Sequence, residues 1–91
     1  MHPLSESEIQ TNFSKNLSYI RRTRKHRLSQ KALARRLCLS KYAVSMYESN
    51  RAAPTAYAVY QVSCYFGIPM ERLLTKDLAK GDSSCVQIID C

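Results

Sequence analysis

Cations are the most numerous ionisable side chains in this chain. Fourteen Lys and Arg stand against seven Asp and Glu, a formal charge of +7. The excess is concentrated: residues 8–74 carry twelve basic and three acidic side chains, while both ends are slightly acidic. A positive field held on one folded unit suits a polyanionic partner. The densest run is Arg21, Arg22, Arg24, Lys25, His26 and Arg27. Cations at a helix C-terminus oppose the negative end of its dipole, but six such residues exceed what a cap needs, which points to backbone phosphate contact by some of them. Other chemistry finds little footing. Cys38, Cys64, Cys85 and Cys91 form no C-x-x-C pair and lie far in sequence from His2 and His26, so neither zinc nor any other cofactor is expected. There is no Gly-rich phosphate loop, no H-E-x-x-H and no plausible carboxylate pair, so the chain does not read as an enzyme.

These residues need a scaffold, and 91 residues suffice for one domain. No apolar run is long enough to span a bilayer and no signal-peptide layout opens the chain, so the expectation is a soluble cytoplasmic protein with no membrane partner. In such a compartment a stable disulfide is disfavoured, although Cys85 and Cys91 could pair within or between chains. Cys38 and Cys64 sit in apolar helical patterns and read as small core residues.

Five helices are predicted, with no strand before the tail, which makes the fold all-α. Ser5 and Glu8 form an S-x-x-E capping box that starts the first helix near residue 6, with Phe13, Leu17 and Ile20 on its inner face. Its basic end runs to Arg27. Ser29 caps a second helix over residues 30–37, facing inward with Leu33, Ala34 and Leu37. After the break Cys38-Leu39-Ser40, a third helix covers residues 41–49, with Val44 and Tyr47 inward and Asn50 as a left-handed stop. Thr55 caps a fourth helix over residues 56–66, with Val59, Val62 and Phe66 inside and Gly67 ending it. Pro69 takes the first position of a short fifth helix that closes on Leu73 and Leu74. The expected organisation is a lead over residues 1–7, a folded unit over 8–74 and a flexible or dimerising tail over 75–91, which contains the β-prone run Val86-Gln87-Ile88-Ile89.

Residues 28–54 hold the informative unit: two short Ser-capped helices, a three-residue turn and basic flanks. This is the layout of a helix-turn-helix, whose first helix crosses the DNA backbone and whose second enters the major groove. The opening Leu28-Ser29-Gln30-Lys31-Ala32-Leu33-Ala34 resembles the L-S-Q-x-x-L-A of the phage-repressor (Cro/C1, or XRE) family. Leu39-Ser40, Val44-Ser45, Tyr47-Glu48, Asn50 and Pro54 follow that family's v-S-x-x-x-I-S-x-x-E-x-G-x-x-x-P, and Phe66-Gly67-Ile68 with Leu73-Leu74 resembles its closing L-G-V and L-L. The resemblance covers residues 13–74. Cys38 and Asn50 stand where the family usually has Gly, and the junction before Leu28 is one residue short.

The resemblance implies a compact five-helix, lambda-repressor-like domain that binds a palindromic operator in double-stranded DNA as a homodimer, regulating transcription, most often as a repressor. It implies base contacts by Lys41, Tyr42, Ser45 and Met46. Lys41 would donate to guanine, Tyr42 would meet a thymine methyl or a phosphate, Ser45 would read either edge, and Met46 would touch thymine. Gln30 would clamp a phosphate at the second helix N-terminus, with Arg51, Arg35 and Thr55 as further phosphate contacts. Arg36 is divided between phosphate and solvent. Glu48, Ala34, Val44 and Asn50 would be structural, Glu48 through Arg21 or Arg24. Dimerisation is expected through Ile68, Met70, Leu73 and Leu74. The competing reading is a protein-interaction module, such as the antitoxin of a toxin–antitoxin pair with an unknown protein partner. The polar and basic outer face of the third helix favours DNA.

Overall fold

The first four helices each start where a short polar side chain takes up a free backbone N–H, as helix termini require. In the computed structural model, which describes residues 3–23 and 27–80, the helices are α1 (Glu6–Thr23), α2 (Gln30–Leu37), α3 (Lys41–Glu48), α4 (Ala56–Phe66) and α5 (Met70–Thr75), followed by a 3-10 turn at Leu78–Lys80. Ser5 and Glu8 exchange hydrogen bonds at the head of α1: the Ser5 N–H donates to Glu8 Oε1 (2.8 Å) and the Glu8 N–H to Ser5 Oγ (3.1 Å). Ser29, Ser40 and Thr55 accept from Ala32, Ala43 and Ala58 N–H, each at 3.0 Å.

One core joins all five helices. Phe13, Leu17 and Ile20 of α1 meet Leu33, Ala34 and Leu37 of α2, Val44 and Tyr47 of α3, and Ala58, Val59, Val62 and Phe66 of α4. The Phe13 and Tyr47 rings meet edge to face, with centroids 5.7 Å apart. No helix among the described residues is long and apolar enough to cross a membrane.

The core also contains a polar staple. Asn16, 1% exposed, donates through Nδ2 to the carbonyls of Leu73 (2.8 Å) and Lys76 (2.7 Å) and accepts at Oδ1 from the Leu78 N–H (3.0 Å). Asn12 adds a bond to the Leu74 carbonyl at 2.9 Å. The last carbonyls of α5 have no partner within so short a helix, and α1 supplies them. Residues 75–80, assigned to a tail on sequence, are thereby tied to α1, and Leu78 is buried.

Several boundaries and faces differ from expectation. Pro69 precedes α5 instead of opening it: its ψ of 141° is extended, and its carbonyl accepts from Arg72 and Leu73 N–H. Arg27 lies outside α1, and Arg24, Lys25 and His26 fall outside the described residues. Cys38 and Cys64 are exposed, not core. Cys38 sits in a left-handed turn that aims it outward, and Cys64 falls on the outer stripe of a helix that carries no charge on any side. Ile68 (1% exposed) and Leu73 (0%) are consumed by the core, so they cannot supply the expected dimer patch. Met70 and Leu74 instead line a groove of about 510 Å³ with Ile9, Pro54 and Val59. Cys85, Cys91 and the run at 86–89 lie outside the described residues.

Replacing Asn16 with Ala leaves two carbonyls and one N–H without partners inside the protein. A loss of about 3 kcal/mol is expected in urea unfolding. A loss below about 0.5 kcal/mol would show that solvent replaces the staple.

Candidate nucleic-acid interface

The turn between α2 and α3 is set by backbone geometry. Cys38 adopts the left-handed conformation (φ 57°, ψ 40°). Its N–H reaches the Arg35 carbonyl (3.3 Å), and the Leu39 N–H reaches Ala34 (2.9 Å), closing a Schellman motif. Half-buried Leu39 packs against the core, and Ser40 starts α3 at once. The same device ends α3: Asn50 is left-handed (φ 63°), with its N–H on Tyr47 (3.2 Å) and the Arg51 N–H on Met46 (2.9 Å). Asn accepts this conformation more readily than Cys.

The inner side of α3 is used by Val44 and Tyr47, both buried. Lys41, Tyr42, Ser45 and Met46 therefore share the opposite side, across an arc of about 140° at 3.6 residues per turn. Lys41 is exposed, Tyr42 is 72% exposed, and Ser45 and Met46 are half-buried. The face offers an ammonium, a phenol, a hydroxyl and a thioether, with no acid among them.

Glu48, the only acidic residue between Arg27 and Arg51, does not oppose that face. Its side chain is 6% exposed and takes a bidentate pair from Arg21, Nε to Oε2 at 2.6 Å and Nη2 to Oε1 at 2.9 Å. The hydrogen bonds to Glu48 hold the Arg21 pKa above its ordinary value. Arg21 therefore meets Glu48 as expected, and Arg24, the other expected partner, lies outside the described residues. Arg21 also donates to the Leu28 carbonyl (3.1 Å), and Gln30 Nε2 donates to Glu48 Oε1 (3.0 Å). One carboxylate thus joins α1, the α2 N-terminus and α3. From α1, Ser14 Oγ donates to the Glu48 carbonyl (2.9 Å) and Gln10 Nε2 to that of Asn50 (3.1 Å).

Further cations lie on α2 and in the loop after α3. Lys31, Arg35 and Arg51 are exposed, and Arg36 donates to the Tyr65 hydroxyl at 2.8 Å. Gln30 stands at the α2 N-terminus, where first-turn N–H groups lack helical acceptors. Thr55 is exposed beyond the loop and caps α4 with its Oγ1. Among the described residues no group of His, Cys, Asp and Glu could hold a metal. Residue-by-residue reading missed Asn12, Ser14 and Asn16. Asn16 carried a signal, since it lies three residues after Phe13 and four before Ile20, on the buried face.

Two capped helices, a left-handed turn and an acid-free outer face on the second helix define a helix-turn-helix domain. A helix-turn-helix family model matches residues 19–73. The chain belongs to this family, of the Cro/C1 (XRE) type, and is a DNA-binding domain of the transcription-regulator kind. Neither the curated proteins nor the solved structures contain a match.

Cys38→Gly should raise stability by about 1 kcal/mol, because Gly adopts the left-handed turn without a Cβ penalty. Thermal melting should move up by about 4–8 °C. An unchanged or lower midpoint contradicts strain at this turn. Glu48→Ala leaves Arg21 and Gln30 without their shared acceptor and should cost about 3 kcal/mol in denaturant unfolding. A cost of a few tenths, about that of an exposed ion pair, would mean the carboxylate does not join the helices.

Proposed function

We propose that this protein is a transcriptional repressor that binds a palindromic operator in double-stranded DNA as a homodimer, in the cytoplasm, with residues 8–74 as its DNA-binding unit. The observation that carries this reading is the α3 outer face. Its four side chains lie opposite the core, and the one nearby acid is consumed by Arg21 and Gln30.

Each side chain then has a role set by its chemistry. Lys41, in the first turn of α3, donates to guanine O6 and N7, and Ser45, one turn later, reads a neighbouring edge. Tyr42 and Met46 supply apolar contact to thymine methyl groups. Gln30, held by Glu48, presents its amide and the α2 N-terminal N–H groups to a phosphate. Arg51, Arg35 and Thr55 meet further phosphates and fix the docking register without carrying sequence information. Two copies related by a two-fold axis place their third helices about 34–36 Å apart, one turn of duplex.

Selection of bound duplexes from a random pool at physiological salt tests this reading, and a palindrome with half-sites one turn apart is the expected product. No enrichment would overturn it and favour a protein partner. Lys41→Ala should relax preference at one or two base pairs at a cost of about 1–3 kcal/mol, whereas Arg51→Ala should weaken all sequences alike and lower the salt dependence. A uniform loss for Lys41→Ala would make it a phosphate contact instead.

A further inference from the structure

The loop after α3 is gripped by α1 at one peptide group. The Asn50 carbonyl and the Arg51 N–H belong to the same peptide unit, which is planar. Its N–H donates back into α3, to the Met46 carbonyl at 2.9 Å, and its carbonyl accepts from Gln10 Nε2 at 3.1 Å. A planar group held on both sides cannot turn, so the direction in which the chain enters Arg51 is set. Asn50 adds a second tether, since its Nδ2 donates to Thr11 Oγ1 at 3.3 Å. On the far side of Arg51, Ala52 packs against the core. Arg51 itself is exposed. Its backbone is held before and after, and only its side chain is left to move.

The end of α3 does not need this grip. The left-handed turn at Asn50 is already closed by its own N–H on Tyr47 and by the Arg51 N–H on Met46. Gln10 acts one step further on, at a carbonyl that points away from the helix. A loop ordered in advance loses less conformational entropy when its cation meets a ligand. We propose that Gln10 is a positioning residue for DNA binding: with Thr11, it holds the Asn50–Arg51 peptide so that the Arg51 guanidinium reaches a backbone phosphate from a loop that is already ordered. The assignment rests on the phosphate role proposed for Arg51. It divides the polar face of α1 into two parts. Arg21 and Ser14 act on Glu48 and thus on the base-reading helix, whereas Gln10 and Thr11 act on the loop that meets phosphate. A phosphate contact carries no sequence information, so Gln10 governs affinity and not sequence preference.

Gln10→Leu in the full chain tests the assignment, with binding to the selected duplex and to an unrelated duplex of equal length followed by fluorescence anisotropy over a range of salt. Gln10 lines the groove beside Ile9, Ala53 and Pro54, so Leu keeps the packing and loses the donor. Unchanged helical signal and melting confirm that the variant folds. Affinity should fall about three- to tenfold, the worth of one hydrogen bond, and equally on both duplexes. In a chain that carries Arg51→Ala, Gln10→Leu should cost nothing further, whereas beside Lys41→Ala its cost should add in full. A merely structural Gln10 would cost the same in all three backgrounds. Thr11→Val, which keeps the shape and removes the acceptor, should repeat the pattern with a smaller loss, and it carries the test if Gln10→Leu melts early. A cost that is absent from both variants, that survives Arg51→Ala undiminished, or that shifts sequence preference would overturn the positioning role while leaving Arg51 as a phosphate contact. An Arg51→Ala chain with unchanged affinity and salt dependence would overturn that contact, and this assignment with it.

Discussion

The arrangement depends on one partly buried carboxylate. Glu48 ends α3, and its two oxygens receive Arg21 from α1 and Gln30 from the first turn of α2. Three successive elements are fixed by this one group. A desolvated carboxylate of this kind is tolerable only when its lone pairs are taken. Its bidentate geometry also gives direction, because the Arg21 fork fixes the approach of α1 to α3. Ser14 and Gln10 extend that seam to the carbonyls at the end of α3. The angle at which α3 is offered is therefore set from behind, by polar contacts, while the apolar core supplies the bulk of the cohesion.

A second constraint is the use of left-handed residues to end short helices. Cys38, Asn50 and Gly67 each take positive φ and turn the chain sharply, so eight-residue helices can follow one another with short connections. Asn and Gly do this at little cost, whereas Cys does it under strain. The turn at Cys38 is kept because Leu39 and Ser40 must follow immediately, one to pack on the core and one to cap α3. Function here rests on short elements whose ends are determined rather than on long helices.

What was legible in the sequence follows from range. The Ser5–Glu8 box and the Ser29, Ser40 and Thr55 caps act over three residues, so residue type and spacing reveal them, as they do the bounds of α2 and α4. The outward set on α3 follows from Val44 and Tyr47 by helical period. The Asn16 staple acts across 57 to 62 residues, so its place on the buried face was legible from helical period but its partners were not. The Cys64 face was hidden for another reason: α4 carries no charged stripe from which its inner side can be read. Pro69 was displaced by one residue because its fixed φ suits both the first helical position and the one before it, and only ψ separates them.

The central claim is that DNA meets the outward side chains of α3, with phosphates on the α2 N-terminus and the loop after α3. It is tested most directly by titrating a selected duplex into isotope-labelled protein and following backbone and side-chain NMR signals. The account predicts the largest changes at Lys41, Tyr42, Ser45 and Met46, smaller ones at Gln30, Arg35, Arg51 and Thr55, and little change at Glu71, Lys76 and Lys80. Changes centred on α1 or α5 with α3 unmoved would contradict it.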